Sequence, residues 1–93
     1  MRTINRTSRF KKDYKRESKG QHRAILDELL VAAASLLAAY APLPESMRDH
    51  ALVGEWKDHR DCHLKPDLVL IYRLPDSETI ELVRLGSHSE LSL

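Results

Sequence analysis

Leu68-Val69-Leu70-Ile71-Tyr72-Arg73-Leu74, followed by Pro75-Asp76-Ser77 and then Glu78-Thr79-Ile80-Glu81-Leu82-Val83-Arg84-Leu85-Gly86, is the stretch that decides the fold. The first run is short, apolar and rich in β-formers, which suits a strand buried on both faces. Pro-Asp-Ser supplies a turn. The second run alternates, with Ile80, Leu82 and Arg84 on one face and Glu81, Val83 and Leu85 on the other, and Gly86 ends it. Together they read as a β-hairpin. Upstream, Trp56–Leu64 has no helical stripe and reads as another strand. On it, Asp61 and His63 share one face while Cys62 and Leu64 take the other. Pro66-Asp67 marks a bend or strand start between the two.

The N-terminal half reads differently. Residues 2–6 suit a short strand, and Ser8 is placed to cap a following helix. Phe10, Tyr14 and Glu17 form a narrow stripe on that helix, and Gly20 sits where a left-handed cap would end it. Residues 21–40 predict a second helix, with Ile25, Leu26, Leu29, Leu30, Ala33, Leu36, Leu37 and Tyr40 at three- and four-residue intervals. Tyr40 and Tyr72 read as core. Pro42 and Pro44 stop the helix, because proline lacks the amide that continues the ladder. Pro42–Val53 reads as a loop. The order β-α-α-β-β-β predicts an α+β fold, with an N-terminal strand and a helical hairpin packed on a small antiparallel sheet. The chain is expected to form one domain over residues 1–93.

Composition narrows the function classes. Apolar residues make up 42% of the chain and charged residues 31%, a balance that argues against disorder. Residues 1–24 hold nine basic side chains against Asp13 and Glu17, a net +7, while residues 25–93 net −6. The near-neutral total of +1 therefore hides a strongly polarised molecule. Arg9, Lys11, Lys12, Lys15, Arg16 and Lys19 cluster on and just beyond the first helix, either as a solvated face or as a phosphate-binding one. Cys62 is the only cysteine, which excludes an intrachain disulfide and a cysteine-pair zinc site. No apolar segment follows the charged N-terminus at signal-peptide distance, and Leu29–Ala41 is too short to span a bilayer. A cytoplasmic protein without a membrane partner is expected.

The second half concentrates proton-transfer side chains: His50, His59, His63 and His88 join Asp61 and Asp67. Imidazoles titrate near neutrality and suit acid–base work. On pattern alone, such a scattered set on a small domain is more often a solvated surface. RNA cleavage needs only a base for the 2′-OH, a cation or donor for the phosphorane and an acid for the leaving 5′-oxygen. A metal site is disfavoured, because no His-x-x-x-His helical pair occurs and Asp61-x-His63 is a poor chelate on a strand. No cofactor and no metal are expected.

Asp49-His50-Ala51-Leu52-Val53-Gly54-Glu55-Trp56, then Arg60-Asp61-Cys62-His63-Leu64-Lys65-Pro66-Asp67-Leu68-Val69-Leu70-Ile71-Tyr72, resembles the YafQ-type toxins of the RelE/ParE superfamily. Their pattern runs D-H-x-L-x-G-x-W and R-D-x-H-x-x-P-D-W-x-L-I-Y. The closing Arg84-Leu85-Gly86-Ser87-His88-Ser89-Glu90-Leu91 matches their R-x-G-[ST]-H-x-x-L ending, and the likeness covers nearly the whole chain. The resemblance implies a toxin of a bacterial type II toxin–antitoxin system, a ribosome-dependent endoribonuclease that cuts messenger RNA in the A site. It implies His50, His63, Asp67 and His88 as catalytic residues, with Asp61 and Arg84 in support. His88 would be the acid, His50 or His63 the base, Asp67 an orienting or sharing group, and Arg84 a stabiliser of the phosphorane. Implied partners are a cognate antitoxin, ribosomal RNA and messenger RNA, with operator DNA reached only through the antitoxin. Two positions depart from the pattern: Ser92 stands where relatives often carry an aromatic residue, and Leu68 where they commonly carry tryptophan. Two other readings keep the fold: a gyrase-inhibiting ParE-like toxin, or an inactive relative that only binds an antitoxin.

Overall fold

The computed structural model describes residues 1–93. Its elements are β1 (Thr3–Arg6), α1 (Ser8–Glu17), α2 (Leu26–Ala38), β2 (His50–Ala51), β3 (Arg60–Lys65), β4 (Leu68–Asp76), β5 (Thr79–Gly86) and α3 (His88–Leu91). The strands form one sheet in the order β1-β5-β4-β3-β2. The α+β reading holds, with one refinement. The sheet is mixed, because β1 pairs parallel to β5 while the other pairings are antiparallel. A parallel pair needs a long crossover, and here it runs through both helices and the β2–β4 meander. The segment read as a loop contains a 3-10 turn (Glu45–Met47) and the short strand β2, which adds an outer edge to the sheet; a second 3-10 turn (Gly54–Trp56) follows it.

Burial divides the sheet into two unequal faces. On one, α1 and α2 bring Phe10, Leu26, Leu30, Ala33 and Leu37 against Cys62, Leu64, Leu68, Leu70, Tyr72, Ile80, Leu82 and Leu85. On the other, the apolar cluster has only Val69, Ile71 and Leu91 buried, with Leu52, Trp56 and Val83 packed at their margin. Cys62 and Leu64 thus face the helices and Asp61 and His63 face away, as their alternation predicts. Cys62 is fully buried and its thiol is pushed up to about 12 by desolvation, which makes it an inert core residue.

Several local expectations are corrected. Thr7, not Ser8, caps α1, and its hydroxyl accepts from the Phe10 amide at 3.1 Å. Gly20 is not left-handed; α1 ends at Glu17 with Ser18 in a helical conformation. Turns occupy 18–25, so α2 starts only at Leu26, where Asp27 and Glu28 favour the positive end of the helix dipole. Tyr40 is half-exposed rather than core. It adopts a left-handed φ of 60°, its ring lies under the Arg2 guanidinium, and its hydroxyl donates to Ser77. In β5, Ile71 pairs with Arg84 but Tyr72 pairs with Leu82, so Val83 is an extra residue. This bulge puts Leu85 on the same side as Ile80 and Leu82, against the strict alternation expected.

The bulge lies where β1 has ended, and α1 takes over the bare outer edge of β5. The Thr7 amide donates to Leu82 and the Thr7 hydroxyl to the Val83 carbonyl. Asp13, 3% exposed, accepts from the Leu85 amide at 3.0 Å and from Arg84 Nε at 2.6 Å. Arg16 donates to the Leu85 carbonyl at 2.8 Å and to Asp13 at 3.1 Å. Burial alone would raise the Asp13 pKa, but the Arg84 and Leu85 hydrogen bonds and the two guanidinium charges outweigh it and hold the carboxyl low.

Because the Asp13 pKa is depressed on folding, its stabilisation is present above the unfolded value near 3.8 and is lost as pH falls through the folded value. Asp13→Ala should destabilise the protein by roughly 3–5 kcal/mol in urea melts at pH 7, because Arg84 loses its buried partner. Its stability should also vary less below pH 4 than that of the wild type. A variant as acid-sensitive as wild type would refute this assignment.

Candidate active site

The face of the sheet left open by the helices gathers the histidines. β2 pairs with β3 so that His50 lies opposite Asp61, and β3 pairs with β4 so that His63 lies opposite Val69. His50, Asp61 and His63 therefore sit together on that face. β2 is held in place by Asp49, which accepts from Tyr72 Oη and from Arg60 Nη2 at 3.2 Å and Nε at 3.3 Å. Desolvation, then that hydrogen bond, pushes the Tyr72 hydroxyl upward. β5 delivers the fourth residue. Gly86 ends the strand, Ser87 caps α3, and His88 occupies its first turn. The cap is reciprocal: Ser87 Oγ accepts from the Glu90 amide, and Glu90 Oε1 accepts from the Ser87 amide at 2.9 Å. Leu91 anchors the turn against Val69 and Ile71.

His63 and His88 meet edge to face with ring centres 5.0 Å apart. They separate two open grooves. One, of about 580 Å³, is lined by His50, Asp61, Leu52, Val53, Trp56 and Leu93 among others. The other, of about 650 Å³, is lined by Ser46, Met47, Leu64, Lys65 and Pro66, and Arg48 borders both.

Asp61 lies beneath the imidazoles and is 2% exposed. Its Oδ1 is 3.1 Å from His50 Nδ1 but has no aligned hydrogen bond. His50 Nδ1 is directed instead at the Arg48 carbonyl, at 2.8 Å. Burial raises the Asp61 pKa, and the charges of His50, His63 and His88 pull it part of the way back. His63 is held below its ordinary value, first by desolvation and then by the charges of His88, Arg48 and His50, against the opposing pull of Asp61. A buried carboxylate without an aligned donor is costly, so its presence beneath these rings points to chemistry rather than packing.

Other expected residues are placed elsewhere. Asp67 sits at the β3–β4 turn, where it accepts from Gln21 and from His22 Nε2 at 2.9 Å. It borders neither groove. Arg84 is bound to Asp13, and Arg16 is engaged by Asp13, Glu17 and Glu90. Arg9, Lys11, Lys12, Lys15 and Lys19 remain exposed on and just past α1. His59 stands against the Trp56 ring and is only partly exposed. Ser92 borders the first groove as the left-handed cap of α3. Residues that sequence reasoning missed are Arg48, Asp49 and Asp13. Arg48 and Asp49 directly precede His50, and Asp13 stands three residues from Arg16 on a helix; those adjacencies were the available signals.

Residues 2–93 match the family described as YafQ, bacterial toxin of a type II toxin–antitoxin system. The chain belongs to the YafQ toxin family. It is 36% identical to the mRNA interferase toxin YafQ of Escherichia coli K12, over 97% of this chain and 95% of that one. It superposes on a chain of the E. coli DinJ–YafQ complex with a TM-score of 0.80 at 35% identity, covering 98% of each. A metal-bound toxin from Helicobacter pylori is 44% identical, with a TM-score of 0.81 over 98% of this chain and 99% of that one. In the present YafQ-family chain no three His, Cys, Asp or Glu side chains are disposed to hold a metal ion, and His50 Nδ1 is turned to a backbone carbonyl. No helix is long and apolar enough to cross a membrane.

Asp61→Asn separates the two contributions. Removing the buried charge should stabilise the protein at pH 8 by about 1 kcal/mol, within the cost of an unsatisfied buried group. It should also lower the His63 titration midpoint by NMR, because the Asp61 carboxylate raises it. A midpoint that stays in place or rises would show that Asp61 does not act on His63.

Proposed function

We propose that this toxin is an endoribonuclease that cuts messenger RNA in the ribosomal A site by metal-independent attack of the 2′-OH. The observation that carries this reading is the convergence of His50, His63 and His88 over buried Asp61 on the open face of the sheet. The mRNA interferase name of the E. coli relative supports the substrate class. A ParE-like binding toxin has no use for this arrangement.

The proton roles follow from the hydrogen bonds. A carbonyl oxygen only accepts, so His50 Nδ1 carries the proton and Nε2 presents its lone pair. His50 Nε2 is then the base that takes the 2′-OH proton. His88, on the exposed turn beyond β5, is the acid that protonates the leaving 5′-oxygen. His63 stands between them, and its depressed pKa keeps it neutral at pH 7. It donates to a phosphate oxygen rather than exchanging the protons. Asp61 offsets the positive charge that moves between the rings. Asp67 serves the β3–β4 turn rather than the reacting atoms. The 5′ fragment ends in a 2′,3′-cyclic phosphate. Leu52, Val53, Trp56 and Leu93 form an apolar wall where a base can lie despite Ser92 in place of an aromatic ring.

The exposed basic residues Arg9, Lys11, Lys12, Lys15 and Lys19 dock the toxin on ribosomal RNA, and Arg16 and Arg84 are reserved for the fold. The antitoxin is a separate protein, as in the E. coli DinJ–YafQ toxin–antitoxin complex. Operator DNA is reached only through that partner, and the place of action is the cytoplasm.

His88→Ala should reduce cleavage of a translated reporter by at least ~100-fold, the usual contribution of a general acid, with the melting temperature unchanged. A folded variant with full activity would remove His88 from the mechanism. Neutralising Lys11, Lys12 and Lys15 together should make ribosome binding less steeply dependent on salt. An unchanged slope would place the docking surface elsewhere.

A further inference from the structure

We propose that Arg48 is the cation that binds the scissile phosphate, an assignment that rests on the ribonuclease reading above. In-line attack at phosphorus turns a singly charged diester into a phosphorane carrying more negative charge, and a donor must meet that charge where it develops. Arg84 does not meet it, because Asp13 holds it at the outer edge of β5. Arg60 is bound by Asp49 and Arg73 by Glu81. Arg48 makes no ion pair and no side-chain hydrogen bond; only its backbone is engaged, the amide donating to the Glu45 carbonyl and the carbonyl accepting from His50 Nδ1. Its exposed side chain borders both grooves, which meet at His63 and His88. A strand lying from one groove into the other passes its phosphate beside the two imidazoles and the guanidinium together. The planar fork of arginine matches two phosphate oxygens, which no other unpaired group bordering both grooves provides.

The backbone gives a second, independent reason. Arg48 ends the 3-10 turn Glu45–Met47 in the left-handed region, at φ 49° and ψ 44°. Asparagine or glycine would sit there with less strain. The same conformation turns the Arg48 carbonyl to His50 Nδ1 and the side chain toward the grooves. One residue therefore sets the tautomer of the base and supplies the cation. In the step itself the 2′-oxygen forms a bond to phosphorus, and its proton passes to His50 Nε2. The bond from phosphorus to the 5′-oxygen breaks, and that oxygen takes the His88 proton. Arg48 donates to the two non-bridging oxygens throughout and exchanges no proton.

Arg48→Asn suits the test because asparagine tolerates the left-handed backbone, and Arg48→Lys keeps the charge without the fork. On purified ribosomes translating a reporter messenger RNA, Arg48→Asn should lower kcat about 100-fold or more while melting as the wild type does. Arg48→Lys should recover part of that loss. The His63 titration midpoint should rise in Arg48→Asn and not in Arg48→Lys, because loss of the nearby positive charge favours the imidazolium. An Arg48→Asn variant within twofold of an active wild type would overturn the assignment and leave the ribonuclease reading standing. A wild type that does not cleave would overturn both. A fall in activity that lysine does not relieve, with His63 unmoved, would mean a purely structural role and would also overturn it.

Discussion

The outer edge of β5 is the constraint on which the remaining structure depends. β1 covers that edge only as far as Leu82, and beyond it the amide and carbonyl of Leu85 would be bare. An open edge leaves polar backbone groups unpaired and invites association. Here α1 stands in for a missing strand, with Asp13 accepting from the Leu85 amide and Arg16 donating to its carbonyl. The same guanidinium reaches Glu90 at 3.1 Å, and Glu90 closes the cap that begins α3. Gly86 leaves this corner open: an added Cβ would lie 2.8 Å from Arg16 Nη2 and push that guanidinium aside. One polar network thus connects the basic helix, the last strand and the turn that carries His88.

The two faces of the sheet have separate tasks for a physical reason. The helices cover one face with aliphatic side chains, and that face supplies most of the apolar burial. The other face has a core of only three buried residues, so it tolerates grooves, histidines and a buried carboxylate. Asp61 is unfavourable as packing and useful as electrostatics. It sits where three imidazoles feel its charge and where solvent does not screen it. Stability that comes from the helical face permits this cost on the open one.

Much of this was legible from residue order. The Leu68–Leu74 run, the alternation of Asp61 and His63 against Cys62 and Leu64, and the prolines after residue 41 led to the correct α+β architecture. The long motif around His50 and His63, with the ending at His88, led to the three histidines that converge. Other features depend on pairings that local pattern does not encode. The parallel register of β1 on β5 is a long-range choice, and the extra Val83 reverses the face of Leu85 without any local sequence mark. Arg84 and Arg16 looked available because charge patterning does not reveal a buried partner, and Asp13 is that partner. Tyr40 fits the helical stripe of α2 but falls just beyond its end, where the left-handed turn before Pro42 swings it outward.

At the centre of the proposed mechanism is a ribonuclease whose nucleophile belongs to the substrate, with imidazoles handling both protons. The most direct measurement is cleavage of a translated messenger RNA bearing a single 2′-deoxy nucleotide at the scissile position, with EDTA-treated factors held at constant free magnesium. The expected result is no cut at that position, and a 5′ fragment from the unmodified transcript that ends in a 2′,3′-cyclic phosphate. Cleavage of the 2′-deoxy transcript, leaving a 3′-hydroxyl and a 5′-phosphate, would contradict it.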